Sequence, residues 1–251
     1  MLALIAGTGD LPPALVARLP DRPLICALAG FMPSVTPDIT FRIEHLGSFL
    51  ADLKARGVTS VCMAGAIRRP AIDPSAIDAA TAPLVPRIAQ AIAQGDDGAL
   101  RIVIALFEEA GLTCKAAHEI APDLLPPAGV LTRADLTDST RMDAVLGEQT
   151  LAAMGAADSG QACLVRAGRV LAKEGPDGTD AMMARFAPAG DALWGTVDAL
   201  GDLLGGAATW LGGPDATPLD AHGAILFKAP KPDQDRRADL PVIGPETVRA
   251  A

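Results

Sequence analysis

The residues best suited to chemistry lie near the C-terminus, in the segment from Lys228 to Pro241. Its sequence, Lys-Ala-Pro-Lys-Pro-Asp-Gln-Asp-Arg-Arg-Ala-Asp-Leu-Pro, holds four cations and three carboxylates, and its prolines restrict the backbone. Lysine and arginine neutralise phosphate oxygens, whereas aspartate binds a divalent cation or orients water. The segment therefore predicts a site for a phosphate beside a divalent metal. A solvated charged loop is the alternative.

Two glycine turns are further candidates for binding an anion. Gly7-Thr-Gly-Asp10 separates the apolar run Leu2–Ala6 from an apolar-periodic helix at about residues 12–19. Such a turn can present backbone N–H groups to phosphate, although Pro12 replaces the third glycine of the dinucleotide-binding fingerprint. Gly65–Pro70, with two arginines, follows a second buried run. Ligands collect where the strands of an open α/β sheet end. A plain strand-to-helix turn is the alternative at Gly7.

A third turn, Glu174–Asp180, carries three carboxylates and the triplet Gly178-Thr-Asp. The triplet predicts a helix start capped by Thr179 or Asp180, with free N–H groups facing an anion. Crowded carboxylates are unfavourable unless they share a cation or stay hydrated. His118-Glu119 follows another strand-like run, and an isolated histidine there is more often structural than catalytic.

Composition excludes several classes of protein. The 251 residues contain 21 lysines and arginines against 30 acidic residues, a net charge of −9, which argues against a general nucleic-acid binder. Four widely spaced cysteines, at 26, 62, 114 and 163, favour core positions in a reducing compartment. The N-terminus lacks the basic start of a signal peptide, and no apolar run reaches the length of a membrane span. A cytoplasmic protein is expected.

Alternating strands and helices over residues 1–120 predict an α/β fold, with a Rossmann-like parallel sheet covered by helices on both faces. The predicted strands are Leu2–Ala6, Pro23–Leu28, Phe41–Leu46, Val58–Ala64 and Leu112–Ala117, and the predicted helices include Gly47–Arg56, residues 82–94 and Ala99–Ala110. A proline-rich break predicts a boundary between domains at 1–128 and 129–251. The second, also α/β, is expected to contain a helix at Ser139–Met154, a hairpin turning at Ala167-Gly168, and a strand at Ala224–Phe227.

Seven segments together resemble the bacterial LpxI family of UDP-2,3-diacylglucosamine pyrophosphatases of lipid A biosynthesis. In order they are Ala6–Pro12, Ala64–Pro70, Gly95–Asp97, Ala117–Glu119, Val170–Glu174, Gly178–Met182 and Lys228–Gly244. Each short match is weak, but their order and the long final match make the set specific. The resemblance spans essentially the whole chain.

This resemblance implies two domains with the ligand between them, and hydrolysis of UDP-2,3-diacylglucosamine to UMP and 2,3-diacylglucosamine 1-phosphate (lipid X), dependent on Mg²⁺ or Mn²⁺. The family's essential aspartate falls on Asp239, which is expected to bind the metal with Asp235 or Asp180. Lys228, Lys231 and Arg237 are expected to neutralise phosphate charge. The expected substrate-binding residues are Gly7, Thr8, Gly9, Asp10, Gly65, Ala66, Arg69, Glu119, Gly178, Thr179, Asp180 and Gln234.

The chain departs from the family at two places. Asp177 stands where the family usually has glutamate, and family members continue past the segment matching Gly244–Val248, so an element of the second domain is expected to be missing. The apolar stretch 191–213, with Trp194 and Trp210, is a candidate groove for acyl chains, ordinary core being the alternative. Transient contact with the inner-membrane surface and a homodimer are further expectations. Two other functions remain open: an NAD(P)-dependent oxidoreductase and a non-catalytic carrier of lipid or nucleotide sugar.

Overall fold

In the computed structural model, the chain forms two compact units. The structure describes residues 1–67, 70–93, 96–131, 133, 135–175, 177–186, 221–231, 234–237, 240–244 and 247–248. The first unit comprises Met1–Leu131 and Gln234–Leu240; the second comprises Thr132–Asp233 and Pro241–Ala251. The predicted boundary after residue 128 stays a prediction. None of the helices in these described ranges has the length and apolar character needed to cross a bilayer.

The first unit is built on a five-stranded sheet in which every pair of neighbours is parallel. Its order is β3-β2-β1-β4-β5, with β1 at Leu2–Ala6, β2 at Leu24–Leu28, β3 at Ile39–Phe41, β4 at Ser60–Ala64 and β5 at Thr113–Lys115. The helices are α1 (Leu11–Val16), α2 (Leu46–Ala55), α3 (Val85–Ala93), α4 (Asp96–Glu109) and α5 (Ala117–Ile120). This arrangement confirms the predicted α/β class and its parallel sheet.

Alternating side chains of the strands build a separate core on each face of this sheet. Ala3, Ile5 and Val61 pack with α2 and α4, whereas Leu4 and Cys62 belong to the core that includes α1. Because successive side chains of a strand point to opposite faces, a strand buried on both faces is apolar throughout. The unbroken apolar runs in the sequence are thus explained by two-sided burial.

The predicted third strand, Phe41–Leu46, was wrong: it shares only Phe41 with β3. Strand β3 stops at Phe41, and Ile43–His45 forms a 3₁₀ turn that leads directly into α2. The Phe41 ring stacks on Phe49 of α2 with 3.9 Å between ring centroids. The Glu44 carboxylate is only 3 % exposed and accepts hydrogen bonds from the Arg42 guanidinium at 3.0 and 3.1 Å. These local contacts favour the turn although the alternating sequence suits a strand.

Glu44 also accepts a hydrogen bond from the long connection after β4. Its removal should therefore destabilise the first unit. Its carboxylate accepts the Asp73 N–H at 2.8 Å, and the bonds from Arg42 and Asp73 lower its pKa to about 2 from 4.5. We expect Glu44→Gln to reduce the free energy of unfolding by about 1.5–3 kcal/mol near neutral pH, the usual range for charged hydrogen bonds. Because the folded-state pKa is depressed, this stabilisation is complete above pH 4.5 and is lost as the pH falls towards 2.

Urea unfolding of wild type and Glu44→Gln across that pH range measures the effect. The matched control is Asp52→Asn, which removes a solvent-exposed ion pair with Arg56 on α2 and should change stability by only about 0.5 kcal/mol. A constant difference between wild type and Glu44→Gln at every pH would contradict the assignment.

The second unit pairs a long helix with a small antiparallel sheet. Its elements are α6 (Asp138–Ala156), β6 (Ala162–Arg166), β7 (Arg169–Lys173), α7 (Gly178–Ala184) and β8 (Ile225–Lys228), and the sheet order is β7-β6-β8. The predicted hairpin is confirmed, with Ala167 at φ 49° and Gly168 at φ 72° in its turn. Positive φ at both central residues is typical of a type I′ turn. The Asp143 carboxylate of α6 accepts both turn N–H groups, at 2.9 and 2.6 Å.

All four cysteines are free and buried, as the sequence predicts. Burial raises the pKa of the Cys62 and Cys26 thiols to about 12 and that of Cys114 to about 11. At neutral pH these thiols are therefore protonated, and a protonated thiol is neither a strong nucleophile nor a metal ligand. They serve as small core side chains.

Candidate functional site

The glycine turns after β1 and β4 are bonded to each other at the carboxyl edge of the first unit's sheet. Thr8 donates its N–H to the Ala66 carbonyl at 3.0 Å, and Ala66 returns its N–H to the Thr8 carbonyl at 2.9 Å. Gly7 donates its N–H to the Ala64 carbonyl at 2.8 Å. The N–H groups of Gly7 and Thr8 are thus used by the protein itself. An anion would have to share these bonds, and substrate binding by Gly7, Thr8, Gly9 and Asp10 stays a prediction.

Close backbone approach explains the glycines at 7 and 65. A Cβ at Gly7 would lie 2.4 Å from the Ala66 carbonyl oxygen, and one at Gly65 would lie 2.6 Å from that of Thr8. Gly65 also has φ +88°, in the left-handed region that favours glycine. These glycines let the turns after β1 and β4 come close enough to form hydrogen bonds with each other. The interpretation of Gly7–Asp10 as a phosphate-binding turn did not include this role.

Replacing Gly7 by alanine should disrupt the hydrogen bonds between the two turns. The added methyl would collide with backbone rather than with a flexible side chain, so we expect a loss of about 1–3 kcal/mol in the free energy of unfolding, as for other overpacked sites. Urea unfolding measures it. Gly175→Ala is the control, because a methyl added there would have no neighbour within 4 Å and the φ of Gly175 is not in the left-handed region. Equal stability of Gly7→Ala and wild type would contradict the steric argument.

Part of the cation-rich segment belongs to the first unit and forms an ion-pair cluster there. Arg237 donates Nε and Nη2 to the two Asp235 carboxylate oxygens at 3.0 and 2.7 Å, and Nη1 to Glu108 of α4 at 2.5 Å. The Arg237 hydrogen bond is the main cause of a lowered Asp235 pKa, and in return the pKa of Arg237 is raised. Gln234, beside this cluster, is buried.

These contacts bear on the predicted roles of Arg237 and Asp235. Arg237 faces two carboxylates, and both oxygens of Asp235 accept hydrogen bonds from it. A phosphate or a metal would have to share or displace these bonds. Phosphate neutralisation by Arg237, metal binding by Asp235 and substrate binding by Gln234 stay predictions.

The second unit assembles a polar chain from Lys228, Thr179 and Glu174. Lys228, at the end of β8, donates its ammonium to the Thr179 hydroxyl at 3.0 Å and to the Val242 carbonyl at 3.4 Å. Thr179 is buried and donates its hydroxyl to Glu174 Oε1 at 2.5 Å, while Glu174 Oε2 accepts the Gln161 N–H at 2.6 Å. A lysine, a hydroxyl and a carboxylate are thereby linked in series.

The predicted cap of α7, Thr179 or Asp180, was wrong. The helix begins at Gly178, its N-cap is Asp177, and Asp177 makes no capping bond through its side chain. Thr179 is the second residue of the helix, and its hydroxyl donates to Glu174 and accepts from Lys228. Asp180 is exposed in the first turn of α7, and the Gly178 N–H is bonded to the Gly175 carbonyl.

Two other predicted residues have structural partners. Lys231 forms an ion pair with Asp158 in the second unit. Glu119 is exposed and accepts the Ala116 N–H at 2.6 Å, which caps the start of α5. Phosphate contact by Lys231 and substrate contact by Glu119 stay predictions.

Some predicted residues lie outside the part of the chain that the structure describes. They are Asp239, Arg69, the glycine of Gly95–Asp97, and the apolar stretch 191–213. Within the described part there is no group of three or more histidine, cysteine, aspartate or glutamate residues able to hold a metal ion. The described candidates are carboxylate oxygens, which are the ligand type that Mg²⁺ prefers.

Comparison with known proteins covers the chain from end to end. Residues 1–124 match the LpxI N-terminal domain, and residues 127–251 match the LpxI C-terminal domain. The chain belongs to the LpxI family. A relative from Caulobacter vibrioides, named UDP-2,3-diacylglucosamine pyrophosphatase LpxI, is 32 % identical over 256 residues, spanning 100 % of this chain and 84 % of the relative.

The sequence did not predict the contacts that three carboxylates of this LpxI-family chain make with the candidate residues. Glu174 belongs to a segment singled out in the sequence, but its role in fixing Thr179 was not predicted. Glu108 and Asp158, partners of Arg237 and Lys231, carry no local signal because they lie far from those cations in the sequence.

Proposed function

We propose that the protein hydrolyses the pyrophosphate bond of UDP-2,3-diacylglucosamine to give UMP and 2,3-diacylglucosamine 1-phosphate, the lipid X step of lipid A biosynthesis. The observation that carries the proposal is the match to both LpxI domains, together with a named pyrophosphatase aligned over the whole chain. Water adds to one phosphorus, the bridging P–O bond breaks, and two phosphate monoesters leave.

Lys228 supports this reaction because its ammonium is held in place. An ammonium has three donors, and Thr179 and Val242 accept two of them among the described residues. The third can donate to a phosphate oxygen on which charge builds as the bond breaks. A donor fixed in advance stabilises such charge without reorganisation in the transition state. Lys231 and Arg237 would add positive charge at the phosphates.

Metal dependence is part of the proposal. The candidate ligands, Asp239 with Asp235 or Asp180, offer hard carboxylate oxygens that fit Mg²⁺ or Mn²⁺. A bound divalent ion would supply charge neutralisation and an activated water. Asp180 is exposed and thus accessible to a ligand, whereas Asp235 would have to loosen its bonds to Arg237.

The substrate's two acyl chains also imply where the protein works. A diacylated sugar nucleotide resides in a lipid surface, so we propose transient contact of a cytoplasmic protein with the inner membrane. We also propose that the protein forms a homodimer, as expected from the sequence.

The decisive experiment incubates the purified protein with UDP-2,3-diacylglucosamine, with Mg²⁺ or with EDTA, and follows UMP and lipid X. Equal, metal-dependent release of both products is the expected result. Turnover in EDTA would refute the metal dependence alone. No turnover with retained lipid X binding would favour a carrier, and NAD(P) binding without hydrolysis would favour an oxidoreductase.

A further inference from the structure

An apolar cavity of about 260 Å³ opens in the first unit. Its walls come from the turn after β3, the long connection after β4, and α3. Because parallel strands end at one edge of a sheet, the connections after β3 and β4 leave from the same edge as the Gly7 and Gly65 turns. The hydrocarbon of the wall is supplied mainly by Ile43, Ile72, Ile77, Val85, Ile88 and Ile92.

One face of α3 is apolar without being fully covered. Val85, Ile88 and Ile92 recur at the spacing of a helical stripe and all line the cavity. Ile88 packs against the core on that side of the sheet, but Ile92 is 42 % exposed. The stripe therefore continues from the core into an open space.

The polar groups at the cavity are already satisfied by the protein. Both Glu44 oxygens accept hydrogen bonds, from Arg42 and from the Asp73 N–H. The Thr81 hydroxyl is fully buried and accepts the Gly47 N–H at 2.8 Å. An occupant with polar atoms would find no partner in these two groups and would lose its hydrogen bonds to water. The wall suits a plain hydrocarbon.

We propose that this cavity holds one fatty acyl chain of the diacylated substrate, an inference that rests on the proposed function. The volume falls below the roughly 300–1,000 Å³ of pockets that enclose whole small molecules, so it suits part of a chain better than a sugar nucleotide. Two of the connections that form its walls leave from the sheet edge that carries the glycine turns, where the polar part of a ligand is expected. The length of the acyl chain then determines which substrates the protein prefers, and α3 sets the length that fits.

The test narrows the cavity without disturbing the core. Ala89 lines the cavity and is exposed, so Ala89→Phe places a ring in it; Ala93→Phe puts the same ring on α3 at an exposed position outside the lining. Each buried methylene is worth roughly fourfold in binding, so displacing two or more should lower kcat/KM at least about tenfold. We expect that loss for long-chain substrate with Ala89→Phe, no loss for a diacetyl analogue, and no loss for either substrate with Ala93→Phe.

A binding measurement separates failure of this inference from failure of the proposed function. In protein with ¹³C-labelled isoleucine methyl groups, titration with decan-1-ol should shift the Ile72, Ile88 and Ile92 signals saturably, and leave that of Ile225 in the second unit unchanged. Absence of such shifts, or an equal effect of Ala89→Phe on long-chain and diacetyl substrates, overturns the acyl site. Shifts without hydrolysis of any substrate support a hydrocarbon site and refute the proposed reaction instead.

Discussion

Lys228→Met is expected to lower kcat/KM for UDP-2,3-diacylglucosamine by about 10²–10³-fold while the protein stays folded. That is the usual cost of removing one preorganised donor from a site where charge develops. Methionine keeps much of the length of the lysine side chain but has no charge and no N–H. The substitution removes the Lys228 N–H groups that donate to Thr179 and Val242, together with the third N–H group proposed to donate to phosphate.

The measurement is steady-state turnover, with circular dichroism to confirm folding. Lys173→Met is the matched control, because Lys173 ends strand β7 of the same three-stranded sheet and is exposed. It should retain wild-type turnover. If Lys228→Met turns over as fast as Lys173→Met, Lys228 does not neutralise phosphate.

Thr179 provides a sharper test of how Lys228 is held. Thr179→Val removes the hydroxyl that joins Lys228 to Glu174. If Lys228 acts from the position that this hydroxyl sets, the two substitutions will not be additive, and Lys228→Met will cost less in the Thr179→Val background. Fully additive losses would show that the hydrogen bond has no part in placing the ammonium.

Much of the fold could be predicted because a strand that is buried on both faces is an unbroken apolar run in the sequence. The apolar runs of β1 and β4 and the Ala167-Gly168 turn were located correctly, since each depends on local sequence alone. The third strand was misplaced, because residues 41–46 alternate like a strand while the stacking of Phe41 on Phe49 and the hydrogen bonds from Arg42 to Glu44 favour a turn there.

The sequence predicted which residues belong to the candidate site but not which of them contact each other. The sequence singled out Lys228 and Thr179 separately, but only the folded chain shows that one donates to the other. Arg237 is similar: its cationic character was evident, whereas its pairing with Glu108 joins residues that are 129 positions apart. Sequence spacing carries no information about such a distant pair.

Asp239→Asn is expected to reduce hydrolysis at least about 10³-fold, the largest effect of any substitution considered for this chain. The resemblance to the LpxI family places the essential carboxylate here, and metal assistance contributes several kcal/mol to a reaction of this kind. Asparagine has nearly the same shape as aspartate, so folding and lipid X binding should survive. Turnover measured against Mg²⁺ concentration, together with a binding isotherm for lipid X, checks both expectations.

Asp235→Asn distinguishes a metal ligand from a carboxylate that holds an arginine. Asp235 accepts hydrogen bonds from Arg237 through both oxygens, so Asp235→Asn should lower the free energy of unfolding. If Asp235 also binds the metal, Asp235→Asn will raise the Mg²⁺ concentration needed for half-maximal turnover; an unchanged requirement would remove it from the ligand set. Near-wild-type turnover of Asp239→Asn would show that the essential carboxylate lies elsewhere in the chain.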